Sequence, residues 1–344
     1  MKLASWLLLL ASLAVRSAGL GPRGPQVGAS KPPRAVAAGR LTSGTRAAPA
    51  RRGYSRGRAG ALGPAPSNAQ TQVVMLGSGN PNADPDHSGP AEAVVVNGTA
   101  YLVDCGPGVV RRAALAARQD GIPALRIAAI THLFVTHLHS DHTLGYPDLI
   151  FTPWVLGRKA PLQAYGPVGL AAMTRDILHA WSKDIAVRTQ GLEHANLTGY
   201  HVQVHEIAPG AIYHDANVTV TAFLVHHGSW DQAFGYRFQT ADRTIVFSGD
   251  TSPVAAVAQA CNGCDLLFHE VYNQDGHLTP AWRQYMASFH TSARELGAIA
   301  TAAHPKLLVL YHQMPEGTSQ AALLAQVRRF YHGPVVSARD LDIF

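Results

Sequence analysis

Thr131-His-Leu-Phe-Val-Thr-His-Leu-His-Ser-Asp-His-Thr-Leu-Gly-Tyr-Pro-Asp148 is the stretch on which the rest of the chain depends. Its core is the pattern H-x-H-x-D-H, formed by His137, His139, Asp141 and His142. Four polar groups this close together, directly after an apolar run, would be costly to bury without a partner. Neutral imidazole and carboxylate are ligands that zinc accepts at about 2.0–2.2 Å. The stretch therefore predicts a metal-binding loop.

The other candidate ligands also follow apolar runs that read as buried strands. Loops that leave one rim of a sheet can bring such residues together. Seven ligands are more than one tetrahedral zinc uses, and they suit two metals that share a carboxylate. We favour His227 over the adjacent His226 because a glycine follows His227. The three further stretches are His226-His227-Gly228 after residues 221–225, Ser248-Gly-Asp250 after residues 245–247, and His312 after residues 307–311.

Strand-like and helix-like segments come in a mixed order from Thr71 to the C-terminus, and Asn97-Gly98 predicts a hairpin turn. Two sheets, each covered on its outer face by helices, fit this order better than a singly wound parallel sheet. We therefore expect one mixed α/β (α+β) domain over residues 71–344. Strands are predicted at residues 72–76, 93–96, 101–103, 133–135, 162–165, 200–207, 218–225, 234–238, 244–247, 266–269, 307–311 and near Val335, and helices at residues 109–117, 144–151, 170–181, 253–260, 291–303 and 320–331.

Residues 1–70 differ from the rest of the chain. Lys2, the apolar residues 3–15 and the small residues that follow predict a secretory signal peptide over residues 1–19, and hence a secreted or periplasmic protein. The alternatives are an organellar transit peptide and an over-extended start. An apolar run of thirteen residues is too short to span a bilayer, so no stable membrane anchor is expected. Residues 20–70 are rich in Pro, Gly and Arg and predict a disordered linker.

The formal charge of +6 lies in that N-terminal segment. Residues 1–70 hold 11 of the 28 Lys and Arg residues and no Asp or Glu, which leaves residues 71–344 with a net charge of −5. A domain that binds nucleic acid normally carries a basic surface. The composition of residues 71–344 gives no sign of a basic surface.

The chain has three cysteines. Cys261-Asn-Gly-Cys264 is a single C-x-x-C pattern, which is typical of a local disulfide or of two packed thiols. Cys105 follows an apolar strand and is expected to be a small buried residue.

Together these motifs resemble those of the metallo-β-lactamase superfamily and, within it, ribonuclease Z and related phosphodiesterases. The resemblance covers roughly Thr71 to the C-terminus. It implies an αββα sandwich with a dinuclear zinc site at its edge, with Mn²⁺ or Fe as alternative metals. Besides H-x-H-x-D-H, it rests on Asp104-Cys-Gly-Pro-Gly108, His227-Gly228, Phe234-Gly-Tyr-Arg237, Ser248-Gly-Asp-Thr251, His269-Glu270, His290-Thr-Ser292 and Leu308-Val-Leu-Tyr-His312.

The resemblance also implies a role for each site residue. Asp104 would brace the metal loop, and Asp141 would orient a hydroxide, shared by the two metals, that acts as the nucleophile. Glu270 and His290 resemble a pair that protonates the leaving group, although His290 would also suit the start of a helix at Thr291. The first metal would be held by His137, His139 and His227, the second by Asp141, His142 and His312, with Asp250 bridging them.

We therefore expect a secreted dinuclear zinc hydrolase, foremost a phosphodiesterase for a small or nucleotide-like ester. Ribonuclease Z enzymes are endonucleases that usually carry a long basic arm for RNA, whereas only 22 residues separate His227 from Asp250 and no basic, Gly-rich insertion is visible elsewhere. Nucleic acid is thus the less favoured substrate. The first alternative is an acyl hydrolase of the lactonase, thioesterase, β-lactamase or arylsulfatase type. The second is a redox di-iron protein, which His139 disfavours, or a non-catalytic metal-binding protein, which would require a gap among the seven ligands. The resemblance also allows a homodimer.

Overall fold

The computed structural model describes residues 71–276 and 278–344. The predicted signal peptide, residues 1–19, and the predicted linker, residues 20–70, lie outside the described residues. In the described part of the chain, no helix combines the length and the apolar character that crossing a membrane requires.

The first sheet has six strands, which lie side by side in chain order. The first three pair antiparallel, and the predicted Asn97-Gly98 turn joins β2 to β3 with positive φ at both residues. The others pair parallel. The strands are β1 (Thr71–Gly77), β2 (Ala91–Val96), β3 (Thr99–Val103), β4 (His132–Phe134), β5 (Leu162–Gly166) and β6 (Val202–Glu206), and the helices of this half are α1 (Val109–Gln119), α2 (Ser140–Thr143), α3 (Tyr146–Val155), α4 (Leu170–Ala180) and α5 (Ser182–Gln190).

The second sheet has seven strands in the order β13-β12-β11-β10-β9-β8-β7. The strands from β7 to β10 pair antiparallel, and those from β10 to β13 pair parallel. The strands are β7 (Gly210–His214), β8 (Thr219–Val225), β9 (Ala233–Gln239), β10 (Thr244–Phe247), β11 (Leu266–Tyr272), β12 (Leu307–Met314) and β13 (Val335–Ser337), and the helices of this half are α6 (Ala255–Cys261), α7 (Pro280–Phe289), α8 (Ala293–Ala303) and α9 (Gln320–Arg328).

Except for the edge strands β6 and β7, the strands are largely apolar on both faces, which gives three hydrophobic layers. In β1, Val73 and Met75 face the second sheet, whereas Val74 and Leu76 face the helices on the outer side. The same alternation places Phe268 of β11 between the sheets and Leu267 under the outer helices. The result is a four-layer αββα sandwich, which confirms the expected fold.

The structure differs from the sequence-based expectation in several elements. Helices α5 and α7 and strand β7 were not predicted, because α5 has no buried residue, β7 is at best half buried, and α7 buries only Met286. Strands β11 and β12 are longer than predicted. Both strands continue past the site through a β-bulge, where the register shifts between His269 and Val271 and His312 has a φ of 42°. A bulge re-aims side chains, and here it lies at the candidate site.

Candidate metal centre

Three imidazoles meet at the edge of the sandwich, between the two sheets. Nδ1 of His139 lies 3.0 Å from Nε2 of His137 and 3.0 Å from Nε2 of His227. Two nitrogens bound at about 2.05 Å to one tetrahedral zinc would lie about 3.3 Å apart. The three nitrogens, together with Asp250, therefore form a group with the spacing of ligands around a single cation.

A second group adjoins the first and is formed by Asp141, His142 and His312. Oδ2 of Asp141 lies 3.5 Å from Nε2 of His142 and 3.2 Å from Nε2 of His312. Asp250 lies between the groups, with one oxygen 3.5 Å from His142 and the other 3.3 Å from His312 and 4.0 Å from His227. The structure thus brings together all seven residues that the sequence proposes as ligands. It leaves His226 exposed outside both groups, bound to Ser252.

Hydrogen bonds to the far side of each ring fix which nitrogen faces the centre. The carboxylate of Asp104 accepts from His142 Nδ1 at 2.7 Å and from the N–H and Oγ of Thr136 at 2.8 Å each. Because the Thr136 hydroxyl donates to Asp104, it accepts from His137 Nδ1 at 3.0 Å. His227 Nδ1 donates to the Phe289 carbonyl at 2.8 Å. Asp104 therefore braces the loop, and Nε2 of all three rings is directed at the centre.

Two close approaches require glycine here. A Cβ at Gly106, in the loop after β3, would lie 2.5 Å from the carbonyl oxygen of Asp141, so only glycine lets this loop support the ligand loop. Gly228 has a φ of 54°, and a Cβ there would lie 2.0 Å from the Phe289 ring. The glycine after His227 thus lets α7 approach the centre.

Burial keeps the imidazoles of the first group in the neutral form that binds metals. It holds the pKa of His137 well below its usual range, with a smaller contribution from His142, and it lowers the pKa of His227 to about 4. Burial opposes ionisation of Asp250, but His312 and His142 outweigh it and hold the pKa of this carboxyl well below its usual value. The centre therefore combines neutral nitrogens with an ionised carboxylate.

Glu270 and His290 form a buried pair beside the centre. Oε1 of Glu270 lies 3.4 Å from Nδ1 of His290, and the backbone N–H groups of Thr251 and Thr291 donate to the same oxygen. Burial raises the pKa of Glu270, and the charge of His290 offsets part of that rise. Burial lowers the pKa of His290, but the Glu270 and Asp250 carboxylates raise it by more, so the net shift is upward. Both shifts favour the protonated forms, so the pair holds a proton beside the centre.

His290 ends α7 and does not cap α8. The cap of α8 is Ser292, which forms a capping box with Glu295. His290 also lies with Asp250 and His312 in a third group that has metal-ligand spacing, so its ring faces the centre.

Two site residues escaped the sequence analysis. Trp230 donates its indole N–H to Nε2 of His139 at 2.9 Å, and only its position three residues after His227 could have indicated this. Glu92 is fully buried in β2 under the centre, neither of its oxygens has a partner, and burial raises its pKa well above the usual value. An acidic residue inside an apolar strand was the signal for it.

Comparison with known proteins agrees with this geometry. The family model described as β-lactamase superfamily domain matches residues 99–313. Ribonuclease Z of Mycobacterium bovis (strain BCG / Pasteur 1173P2) is 33% identical over 250 residues, which are 71% of this chain and 86% of the relative. Ribonuclease Z of Mycobacterium sp. (strain KMS) is 36% identical over 249 residues, with 71% and 84% covered.

A solved structure extends the likeness to three dimensions. The short form of human tRNase Z superposes with a TM-score of 0.58 at 26% sequence identity. The superposition covers 79% of this chain and 98% of that one. The clustered histidines and aspartates are typical of a site for a divalent metal. The chain belongs to the β-lactamase superfamily of metal-dependent hydrolases, in its ribonuclease Z-like branch.

Proposed function

We propose that this protein is a dinuclear zinc phosphodiesterase that hydrolyses a small, nucleotide-like ester. The observation that carries the proposal is the set of buried polar atoms that lack a protein partner at the centre. Nε2 of His142 and Oδ1 of Asp250 are both buried without a hydrogen bond. Buried groups of this kind are costly unless they are satisfied, and a cation between them satisfies both. The donor set therefore fits the metal.

The residues would divide between two ions as their spacing suggests, with His137, His139 and His227 on one side and Asp141, His142 and His312 on the other. Asp250 would bridge them, since its two oxygens face both groups. Nitrogen and oxygen donors suit zinc, with manganese or iron as alternatives. When bound, the metals supply a water of lowered pKa and offset the negative charge of the phosphate.

The chain itself supplies positioning and a proton. Asp141 directs one carboxylate oxygen into the centre, where it can orient a water molecule for attack. His290, held by Glu270, presents an N–H next to the same space and can protonate the departing alkoxide. An alkoxide leaves a phosphorus centre poorly without such a proton, whereas a thiolate leaves readily without one. The Glu270–His290 pair therefore favours a phosphodiester over a thioester.

The charge of the surrounding surface supports a small substrate. A cavity of about 520 Å³ beside Asp141 is lined mainly by the loop that joins β1 to β2, and no Lys or Arg is among its lining residues. Residues 71–344 carry a net charge of −5. A long RNA would meet little of the basic surface that retains its phosphates. The relatives are named ribonuclease Z, so RNA is the alternative substrate that the experiment must include.

We also propose that the protein is exported. The predicted signal peptide supports this, and so does the disulfide between Cys261 and Cys264, since such bonds persist mainly in oxidising compartments. Sequencing the N-terminus of the protein recovered outside the cytoplasm tests it. A mature chain that starts near residue 20 is expected, and a chain that begins at Met1 in the cytosol contradicts export.

A substrate comparison tests the function. The purified protein, loaded with zinc, is given bis(4-nitrophenyl) phosphate, a lactone, a cephalosporin and a transfer RNA precursor. Turnover of the diester, lost in Asp250→Ala and kept in His226→Ala, supports the proposal. Brisk lactone turnover without diester turnover would identify an acyl hydrolase instead, and specific cleavage of the precursor RNA would replace the small substrate by RNA.

A further inference from the structure

An uninterrupted series of aromatic rings leads from the solvent to the metal centre along one face of α7. Trp282, Tyr285 and Phe289 are spaced three and four residues apart, so they lie on the same side of the helix. The ring centroids of Trp282 and Tyr285 are 4.7 Å apart with planes inclined by 12°, and those of Tyr285 and Phe289 are 4.5 Å apart with planes inclined by 22°. We call these three residues the aromatic ladder.

The inner end of the ladder belongs to the site. The Phe289 ring lies 5.0 Å from that of His227 and is stacked at 6.5 Å on that of His139. Tyr285 lies 6.1 Å from His290. Burial raises the pKa of the Tyr285 hydroxyl, and the Asp250 and Asp141 carboxylates raise it further, which places this hydroxyl within electrostatic reach of the centre.

The outer end of the ladder is open to solvent. Trp282 and Tyr285 keep 44% and 37% of their surface exposed although both are large rings, and Met286 is the one buried residue of α7. The indole N–H of Trp282 donates to Glu316 at 3.3 Å, which fixes the edge of the ring. Trp282 and Phe289 cover the two faces of the Tyr285 ring, so the flat apolar surface that folding does not use is the outer face of Trp282.

A flat, electron-rich ligand suits such a surface. Nucleobases stack on aromatic side chains largely irrespective of base identity, and each such contact is worth a factor of about 10 to 100 in affinity. The ladder is adjacent to His290, whose N–H is placed to protonate a leaving group. A base of a substrate whose phosphate occupies the centre would therefore stack on the outer face of Trp282, which Tyr285 supports from behind.

Resting on the proposed function, we propose that the aromatic ladder is a stacking subsite for the nucleobase of the substrate. Recognition is then by the base next to the scissile bond, in keeping with the scarcity of basic residues around the cavity beside Asp141. The substrate class is a phosphodiester of a mononucleotide or short oligonucleotide.

Two esters with the same leaving group test the subsite. Thymidine 5′-(4-nitrophenyl phosphate) carries a base and methyl 4-nitrophenyl phosphate does not. In the wild-type protein the ratio of kcat/KM for the thymidine ester over the methyl ester is expected to be high. Tyr285→Ala and Trp282→Ala are expected to lower that ratio about 10- to 100-fold, mainly through KM of the thymidine ester. Tyr285→Phe keeps the ring that supports Trp282 and is expected to keep the ratio.

Trp181→Ala is the matched control, because Trp181 is 41% exposed at the far end of α4. It is expected to leave the ratio unchanged. A ratio unaffected by Tyr285→Ala and Trp282→Ala, or lowered equally by Tyr285→Phe, overturns the proposal.

Calorimetric binding separates this proposal from the proposed function. Thymidine 5′-monophosphate is expected to bind the full-length protein more tightly than deoxyribose 5-phosphate, and Tyr285→Ala is expected to remove that difference. If neither ester is hydrolysed, the proposed function fails, and the binding comparison still decides whether the ladder recognises a base. Equal binding of the two phosphates overturns the subsite whatever the catalytic result.

Discussion

Replacing Asp104 by asparagine tests how the fold prepares the metal loop. The carboxylate accepts hydrogen bonds from Thr136 N, Thr136 Oγ and His142 Nδ1 at 2.7–2.8 Å, and all three residues are fully buried. Asparagine can keep the bond from Thr136 N, but its amide nitrogen then faces two donors. With about 1.5 kcal/mol for each hydrogen bond to a charged group, the free energy of unfolding should fall by about 3 kcal/mol.

Metal binding should weaken as well. Once His142 loses the acceptor on its Nδ1, nothing holds its Nε2 towards Asp250. Loss of a residue that orients a metal-binding histidine typically lowers metal affinity by about 10- to 100-fold. Competition between the protein and a fluorescent zinc chelator measures the affinity, and urea unfolding of the metal-free protein measures the stability.

Asp215→Asn provides the control. Asp215 is also a multiply bonded carboxylate, accepting from Tyr101, Tyr213 and the backbone N–H groups of Asn217 and Val218, but it lies between β7 and β8, outside the metal groups. The Asp215→Asn protein should be less stable than the wild type and should keep its zinc affinity. An Asp104→Asn protein that binds zinc as tightly as the wild type would refute the bracing role.

Three further predictions follow from the site. A metal bound to Nδ1 of His139 requires the ring proton to be on Nε2, which then can no longer accept the hydrogen bond from Trp230. Zinc should therefore change the tryptophan fluorescence of the wild type but not that of Trp230→Phe. An equal change in both proteins would contradict this prediction. His290→Ala should slow hydrolysis of a diester with an alkyl leaving group by about 10²–10⁴-fold and that of a 4-nitrophenyl ester far less, whereas equal slowing would argue against proton donation. Because the pKa of Glu92 is raised in the folded protein, its burial costs stability increasingly as the pH rises above about 4.5 towards the folded pKa. Urea unfolding in chelator should therefore show a larger stability gain from Glu92→Gln at pH 8 than at pH 5, and a gain that does not depend on pH would contradict the shift.

The ligand positions could be predicted from sequence because each follows a run of apolar strand residues, although β12 itself continues through His312. Such strands are continuous hydrophobic runs, and the polar residue directly after a run marks the rim of the sheet. His227 and Asp250 became visible in this way. The fold followed from the same runs, since two sets of buried strands separated by amphipathic helices leave few arrangements.

The features that could not be predicted from the sequence depend on tertiary geometry. The continuation of β11 and β12 past the bulge has no apolar signal, because the polar residues His269-Glu270 and His312-Gln313 interrupt the two runs. Helix α7 buries a single residue and so has a weak apolar pattern, although Thr279 followed by Pro280 is a helix-start signal that could have revealed it. The aromatic ladder became visible only once that helix was placed beside His227.

Counting the bound metals tests the central claim most directly. Native mass spectrometry of the zinc-loaded protein, with elemental analysis of the same sample, gives the number of ions per chain. Two ions in the wild type, fewer in Asp250→Ala and two in His226→Ala are predicted, with diester turnover following the count. A wild-type protein that holds one ion or none while it hydrolyses the diester at full rate would contradict the two-metal account.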